Sequence, residues 1–296
     1  MADSTQSSLA SGAPIKKNKQ RRNHDGSRPP ARTYSAFSQS GGYTSDTRHI
    51  VARPRLTEKF SYGVACCRFN GNTPQILLIQ RRITYAFSAF VYGQYDISNR
   101  ASIMSLLNKM TVEEKIILRK LEFRAIWSHI WISTKYDTAR FRKLEDMFEN
   151  NFVRDGRGTM LRDLIEGSAN AGHLVWEIPK GRKREREADI HAAVREFFEE
   201  TGIEKRQYYL WPTATRTNTF IDDDVRYTLK YYIARADSDI SPQVRLVSAS
   251  QIEEISDIRW MSIEQIRMID IDGQRLAALV QPIFNYVKKN TWRFAT

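Results

Sequence analysis

An α/β module interrupted by an all-helical insert is the fold class that this sequence predicts. Three observations predict it. Strand-like apolar periods open the ordered chain and strand-like and helix-like periods together close it, helical spacing alone fills the middle, and one 23-residue run gathers acidic residues on a single helix face. At 296 residues the chain can bury one large core or two small ones.

The elements follow in order. Residues 1–56 are rich in Ser, Gly, Pro, Arg and Gln without aliphatic periodicity, so a disordered basic tail is expected there. Its run from Lys16 to Arg22 reads as a nuclear signal, an RNA-binding arm or a plain solubilising tail. Order begins near Phe60: Tyr62 to Phe69 predicts a strand, Asn70-Gly71-Asn72-Thr73-Pro74 a turn, and Gln75 to Gln80 the returning strand. Helical spacing then runs from Ser98 to about Ile165. Ile103, Leu106, Leu107 and Met110 open it, Thr111-Val112-Glu113-Glu114 is a capping box, and a further helix is expected from Asp137 to Asn150 with a short one from Thr159 to Ile165. Strands return at Leu174 to Ile178, Tyr208 to Thr213, Val225 to Arg235 and Glu254 to Met261, and helices at Ser262–Met268 and Gln274–Lys289 close the chain. Asp222-Asp223-Asp224 reads as a tight strand connection. The expected organisation is therefore a tail at 1–56, a catalytic module made of 57–80 and 166–296, and a helical insert at 81–165. Without the insert about 155 residues remain, an ordinary domain size.

Charge is unevenly placed. The formal net charge is +12. Residues 1–56 hold ten Lys/Arg against three Asp/Glu, residues 81–165 hold fifteen against ten, and the rest balances at 21 of each. A basic excess confined to the tail and insert suits a polyanion larger than the reacting group, with nucleic acid first in line. A solvated basic surface is the plainer alternative. No apolar run approaches the roughly 18 residues of a membrane helix, and the start of the chain lacks the apolar core of a secretory signal. Cys66 and Cys67 are adjacent in a predicted strand, so their side chains should point to opposite faces and form neither disulfide nor zinc site. A reducing, cytoplasmic location is expected, with nuclear entry through the basic tail as an alternative.

The acidic run carries chemistry. From Gly181 to Ile203 the pattern is Gly, five residues, Glu187, seven residues, Arg195-Glu196, an apolar residue, any residue, Glu199-Glu200, any residue, Gly202, and a final apolar residue. Ile190, Val194 and Phe197 follow one helical stripe that can seat on a core. Glu196, Glu199 and Glu200 fall on the neighbouring face, three and four residues apart, and are expected to converge. Carboxylates that converge without a matching cation repel one another, and Mg2+ or Mn2+ is the natural counter-charge. Gly202 supplies the stop. A lone Glu-Glu pair would mean an ordinary solvated face; nine defined positions coinciding over 23 residues argue otherwise.

This pattern resembles the signature of the Nudix hydrolases. The run from Leu174 to Gly181, with its Trp176, Pro179, Lys180 and Gly181, is similar to mRNA-decapping members. Arg81-Arg82, Tyr85-Ala86-Phe87-Ser88 and the stretch Trp127 to Ile132 resemble the viral decapping type, as in African swine fever virus and more distantly the poxviruses. The resemblance implies an α/β/α sandwich that hydrolyses a nucleoside diphosphate linked to another moiety. It implies metal binding by Glu196, Glu199 and Glu200 with a carbonyl of Gly181 or Lys180, a bracing role for Arg195, and a mainly structural one for Glu187. Glu254 matches a late acidic position that assists as ligand or base, with Glu253 adjacent and equally able to point inward. Glu200 or Glu254 would be the general base, and Lys180 would add charge near the phosphates.

Capped mRNA is the expected substrate, its body gripped by Arg81, Arg82, Lys115, Arg119, Lys120 and Arg124. Two other readings stand beside it: a hydrolase of diphosphoinositol or dinucleoside polyphosphates, and a non-catalytic RNA-binding adaptor. Trp127 and Trp131, at i, i+4 spacing, could stack a base, but packing of the insert's own core is the stronger expectation. His129, His173 and His191 form no ligand triad in sequence and read as ordinary imidazoles.

Overall fold

The computed structural model describes residues 57–131, 136, 138–154, 158–222, 225–237, 239–242, 249–271 and 274–290. The basic tail with its Lys16–Arg22 run, and Asp223 and Asp224, lie outside the described residues.

Strands β1 (Thr57–Asn70) and β2 (Thr73–Arg81) form the expected hairpin, closed by Gly71 at φ 58°. They are joined by β3 (Trp176–Glu177), β4 (Lys180–Gly181), β5 (Tyr208–Asp222), β6 (Val225–Ala236) and β7 (Ile255–Met261). The main path is β3-β2-β1-β6-β5, with β4 added to β1 and β7 to β2. The β1–β6 pair is parallel and the other pairs are antiparallel.

The sheet alternation builds two cores. Val64, Cys66, Leu77, Ile79, Tyr232 and Ala234 face one side, where Ala192, Ala193 and Phe197 of the signature helix pack. Ala65, Cys67, Ile76, Leu78, Tyr231 and Ile233 face the other, covered by Ile266, Val280, Ile283, Phe284 and Val287 from the two C-terminal helices. An α/β/α sandwich results. Cys66 and Cys67 point to opposite cores as free buried thiols, and burial pushes both thiols up from their ordinary pKa.

Between β2 and β3 the described residues form six α-helices: α1 (Tyr85–Val91), α2 (Arg100–Asn108), α3 (Val112–Arg119), α4 (Phe123–Ile130), α5 (Ala139–Phe148), continued by a π-helical turn at Glu149–Arg154, and α6 (Thr159–Glu166). Side chains of Thr84, Asn99, Thr111 and Thr138 cap four of them. Thr111 and Glu114 form the predicted capping box. The Glu114 carboxylate goes further, accepting from Thr84 N (2.6 Å), Thr84 Oγ1 (2.7 Å) and Thr111 N (3.0 Å), so one buried acid fixes the starts of α1 and α3. These helices share a separate core that includes Phe87, Phe90, Leu107, Phe123, Trp127 and Phe141, with Trp131 packed against it. Trp127 lies 5.5 Å from Phe141 and 6.1 Å from Phe123, so both tryptophans serve packing.

The remaining helices are α7 (Asp189–Thr201), α8 (Ala249–Glu254), α9 (Ile263–Ile269) and α10 (Arg275–Asn290). Among the described residues no helix is long and apolar enough to cross a membrane. The larger differences from the sequence expectation are these, beside shifts of a few residues elsewhere, such as β1 starting at Thr57. Helix begins at Tyr85 rather than Ser98; β5 runs on to Asp222 instead of stopping at Thr213; the Leu174–Ile178 strand shrinks to Trp176–Glu177; and α8 precedes the last strand.

Candidate active site

α7 starts after an extended Ala188 and stops at Gly202, whose φ of 69° suits glycine and whose N–H reaches Phe198 O at 2.8 Å. Phe197 is fully buried, contributing about 2–3 kcal/mol of apolar burial that fixes the height of the helix above the sheet. Its acidic face is thereby held against the short strand β4.

Arg195 organises that face. Its Nε and Nη2 donate to the two oxygens of Glu187 at 2.9 Å each, Nη1 donates to Glu196 (2.7 Å) and Glu199 (2.9 Å), and Nη2 also reaches Arg182 O at 2.9 Å. Arg184 adds a bond to Glu199 at 3.0 Å. The expectation that the three glutamates lack a matching cation is thus corrected: arginines stand among them. Arg195 draws Glu196 and Glu199 toward itself, while Glu200 turns inward to accept from Lys180 N at 2.8 Å. Among the described residues no three His, Cys, Asp or Glu side chains converge on a single point. Glu187 is held by Arg195 and by Arg184 N at 2.8 Å, which lower its pKa to about 2.

Gly181 is required by close approach. A Cβ there would overlap the carboxylate of Glu196, so only glycine lets that side chain lie flat on β4. Gly63, the register partner of Lys180, would likewise meet Pro179 O.

Burial raises the pKa of Glu200 well above the ordinary carboxylate range, and Glu177 and Glu254 add repulsion that Lys180 offsets in part. Glu196 is raised by burial too, Arg195 opposing and Glu199 and Glu254 adding to it. Glu254 keeps an exposed edge, yet its pKa is likewise raised, first by the water that packed neighbours displace and then by Glu177, Glu199 and Glu253, against the pull of Arg81. Glu254 is therefore the member of the adjacent pair that couples to the α7 carboxylates, while Glu253 is buried and its carbonyl receives Arg82 Nε at 3.1 Å. The donor set is all oxygen and over-supplied with negative charge, which suits a hard divalent cation.

Lys180 lies at the floor. Its Nζ is 2.6 Å from Glu177 and 3.2 Å from Tyr85 Oη. Burial alone would lower its pKa; Glu177 and Tyr85 more than reverse that and raise it. Tyr85 Oη also donates to Glu177, at 3.0 Å to Oε2. Sequence reasoning missed Glu177 and gave Tyr85 no role. The i, i+3 spacing of Glu177 and Lys180 was a usable signal for the first. Gln251, which donates to Glu200 O at 3.1 Å, left none, because α8 itself was not predicted.

The six basic residues expected on RNA fall into two groups. Arg81 lies beside Glu177 (3.7 Å), Arg82 donates to His129 O (2.6 Å) and Ile130 O (2.7 Å), and Lys115 is buried with Nζ 2.5 Å from Ala169 O. Arg119, Lys120 and Arg124 stay on the surface, Arg119 and Arg124 in loose pairs with Glu166 (3.8 Å) and Glu145 (3.6 Å).

A family model described as NUDIX domain matches residues 152–280. The chain is 33% identical over 237 residues to the mRNA-decapping protein g5R of African swine fever virus isolate Pig/Kenya/KEN-50/1950, covering 78% of this chain and 96% of that protein. The g5R of strain Badajoz 1971 Vero-adapted gives the same identity over 237 residues, covering 78% and 94%. Among solved structures, a C. elegans Ap4A hydrolase binary complex is similar at 14% identity and a TM-score of 0.40, covering 78% of this chain and 98% of that one, which adds nothing to the assignment. With the complete signature from Gly181 to Ile203, its arginine brace and sequence identity along most of its length to those relatives, the chain belongs to the Nudix hydrolase family.

Proposed function

We propose that this protein is an mRNA-decapping hydrolase: water attacks the polyphosphate bridge of the 5′ cap, releasing 7-methyl-GDP and leaving RNA with a 5′-monophosphate. One observation carries this reading. The braced signature carboxylates occur in a chain 33% identical over 237 residues to the African swine fever virus mRNA-decapping protein.

A polyphosphate bridge resists attack because its anionic oxygens repel the nucleophile, so the site must supply positive charge and remove a proton. Glu200, buried and with raised proton affinity, and Glu254, at the solvent-accessible rim, are the carboxylates suited to accept the proton of water. Arg195 keeps Glu196 and Glu199 in place, a bracing role outside the reacting atoms. Nudix hydrolases generally use divalent metal ions; here Mg2+ or Mn2+ held by Glu196, Glu199, Glu200 and the Gly181 carbonyl would neutralise phosphate oxygens and make bound water more acidic.

The helical insert, residues 81–165, is the part proposed to grip the RNA body. Support comes from its surplus of five positive charges and from the exposure of Arg119, Lys120 and Arg124. Such an enzyme would work in the host cytoplasm, where capped messages are translated. The test is one assay run side by side on cap-labelled RNA, free cap dinucleotide and a diphosphoinositol polyphosphate, with Mg2+ and with Mn2+. Preferential release of 7-methyl-GDP from RNA is expected. Turnover of the inositol compound alone would replace this reading, and RNA binding without turnover of any of the three would mark an adaptor.

A further inference from the structure

Arg81 sits where strand geometry changes. The register between β2 and β7 slips there: Gln80 pairs with Asp257 but Arg81 with Ile255, leaving Ser256 over. Ser256 Oγ closes the bulge on Gln80 O (3.3 Å) and Arg81 O (3.2 Å), and Arg81 N donates to Val175 O at 3.0 Å. A bulge of this kind re-aims a side chain. Its backbone is pinned on both sides, since the next residue, Arg82, is tied to the carbonyls of His129, Ile130 and Glu253.

The Arg81 side chain is 16% exposed. Its guanidinium lies over the Tyr85 ring, 4.4 Å from the centroid, with Nη1 3.7 Å from Glu177 Oε1. The latter distance is too long for a hydrogen bond. A guanidinium carries five N–H donors, yet among the described residues none of those of Arg81 is hydrogen-bonded, and Nε is buried without a partner. The contrast with its neighbours is sharp. Lys180 spends its charge on Glu177 at 2.6 Å, and Arg195 makes five bonds to Glu187, Glu196, Glu199 and Arg182 O. A desolvated guanidinium with open donors is costly unless an oxyanion completes it. The fork matches the paired oxygens of a phosphate.

We infer that Arg81 is a catalytic residue of the decapping reaction, its guanidinium binding non-bridging oxygens of the cap's polyphosphate bridge. This rests on the decapping reading above and moves Arg81 from the RNA-binding surface to the reacting centre. Tyr85 backs the guanidinium, Glu177 sets its orientation from beyond bonding distance, and Lys180 neutralises Glu177 so that Arg81 keeps its charge for substrate.

The experiment compares wild type, Arg81→Gln and Arg81→Lys on a capped RNA of about 40 nucleotides and on a cap dinucleotide with no RNA body. Binding of the same RNA, as a function of salt, is measured with each protein under chelation. Removing a preorganised charge donor of this kind costs on the order of 10²-fold in turnover. Arg81→Gln is expected to lower kcat/KM by about that factor on both substrates alike, with the salt slope of RNA binding unchanged, and Arg81→Lys to fall between. Equal turnover by Arg81→Gln and wild type would overturn the inference, as would a loss confined to long RNA with a flatter salt slope, which would return Arg81 to the RNA surface. If Arg81→Gln does not fold, Arg81→Lys decides alone: wild-type kcat/KM on both substrates overturns the inference. Failure of wild type to cleave either substrate would overturn the decapping reading and this inference with it.

Discussion

Gly181 and Glu187 show how single positions set the site. Gly181 touches Glu196 so closely that a methyl group must displace the carboxylate, although the displaced atoms end a flexible side chain and can move cheaply. Gly181→Ala should therefore leave the melting temperature nearly unchanged and reduce kcat by tenfold or more, about 1.4 kcal/mol of barrier. A variant that melts normally and turns over normally would show that Glu196 need not lie on β4. Glu187 makes a different prediction, in pH. Arg195 and the Arg184 amide depress its pKa from 4.5 to about 2 in the folded state. A depressed carboxylate stabilises the fold above its unfolded pKa, and that stabilisation is lost as pH falls through the folded value. The stability gap between wild type and Glu187→Gln should hold above pH 4.5 and shrink between there and about 2. A gap constant across that window would contradict the assignment.

Elements are joined by side chains that reach backbone far away in sequence, and Arg82 ties the end of α4 to α8. It satisfies the carbonyls at the end of α4 and the backbone of Glu253, the residue before Glu254. Arg82→Met would leave three carbonyls without that donor and should lower unfolding free energy by about 2 kcal/mol or more in urea titration; a change within experimental error would mean that water replaces it. What sequence revealed at this scale follows from local chemistry. The Thr111–Glu114 box, the Gly202 stop, the Gly71 turn and the two-face alternation through Cys66 and Cys67 each depend on near neighbours, and each is legible. The strand expected at Tyr208 to Thr213 continues to Asp222, because partnership with β6 from Thr215 to Asp222 overrides the weak local preference of the polar residues that follow Thr213. The signature positions were likewise legible, because i, i+3 and i+4 spacing fixes a helix face. The duties of Arg81, Arg82 and Lys115 were not, since their partners lie at Glu177, His129 and Ala169, far away in sequence.

At the scale of the whole molecule, catalysis and RNA grip are proposed to reside in different parts of the chain. Among the described residues Arg119 pairs loosely with Glu166, and Arg124 pairs loosely with Glu145 and lies 5.7 Å over the Tyr136 ring; surface ion pairs of this kind are worth about 0–1 kcal/mol, so phosphates can compete for both side chains. Reversing Arg119, Lys120 and Arg124 together to Glu should weaken binding of long RNA and flatten its log-log salt dependence by about 0.7 per lost phosphate contact. Turnover of a cap dinucleotide should change little, and wild-type RNA affinity and slope in the triple variant would remove the insert's proposed role. The central claim is that α7 performs the chemistry, and Glu200→Gln tests it most directly because shape is kept while one buried charge is removed. With cap-labelled RNA, 7-methyl-GDP release should fall at least tenfold, about 1.4 kcal/mol of barrier, while RNA binding stays at wild-type strength. Release at the wild-type rate from a folded Glu200→Gln protein would place the chemistry elsewhere.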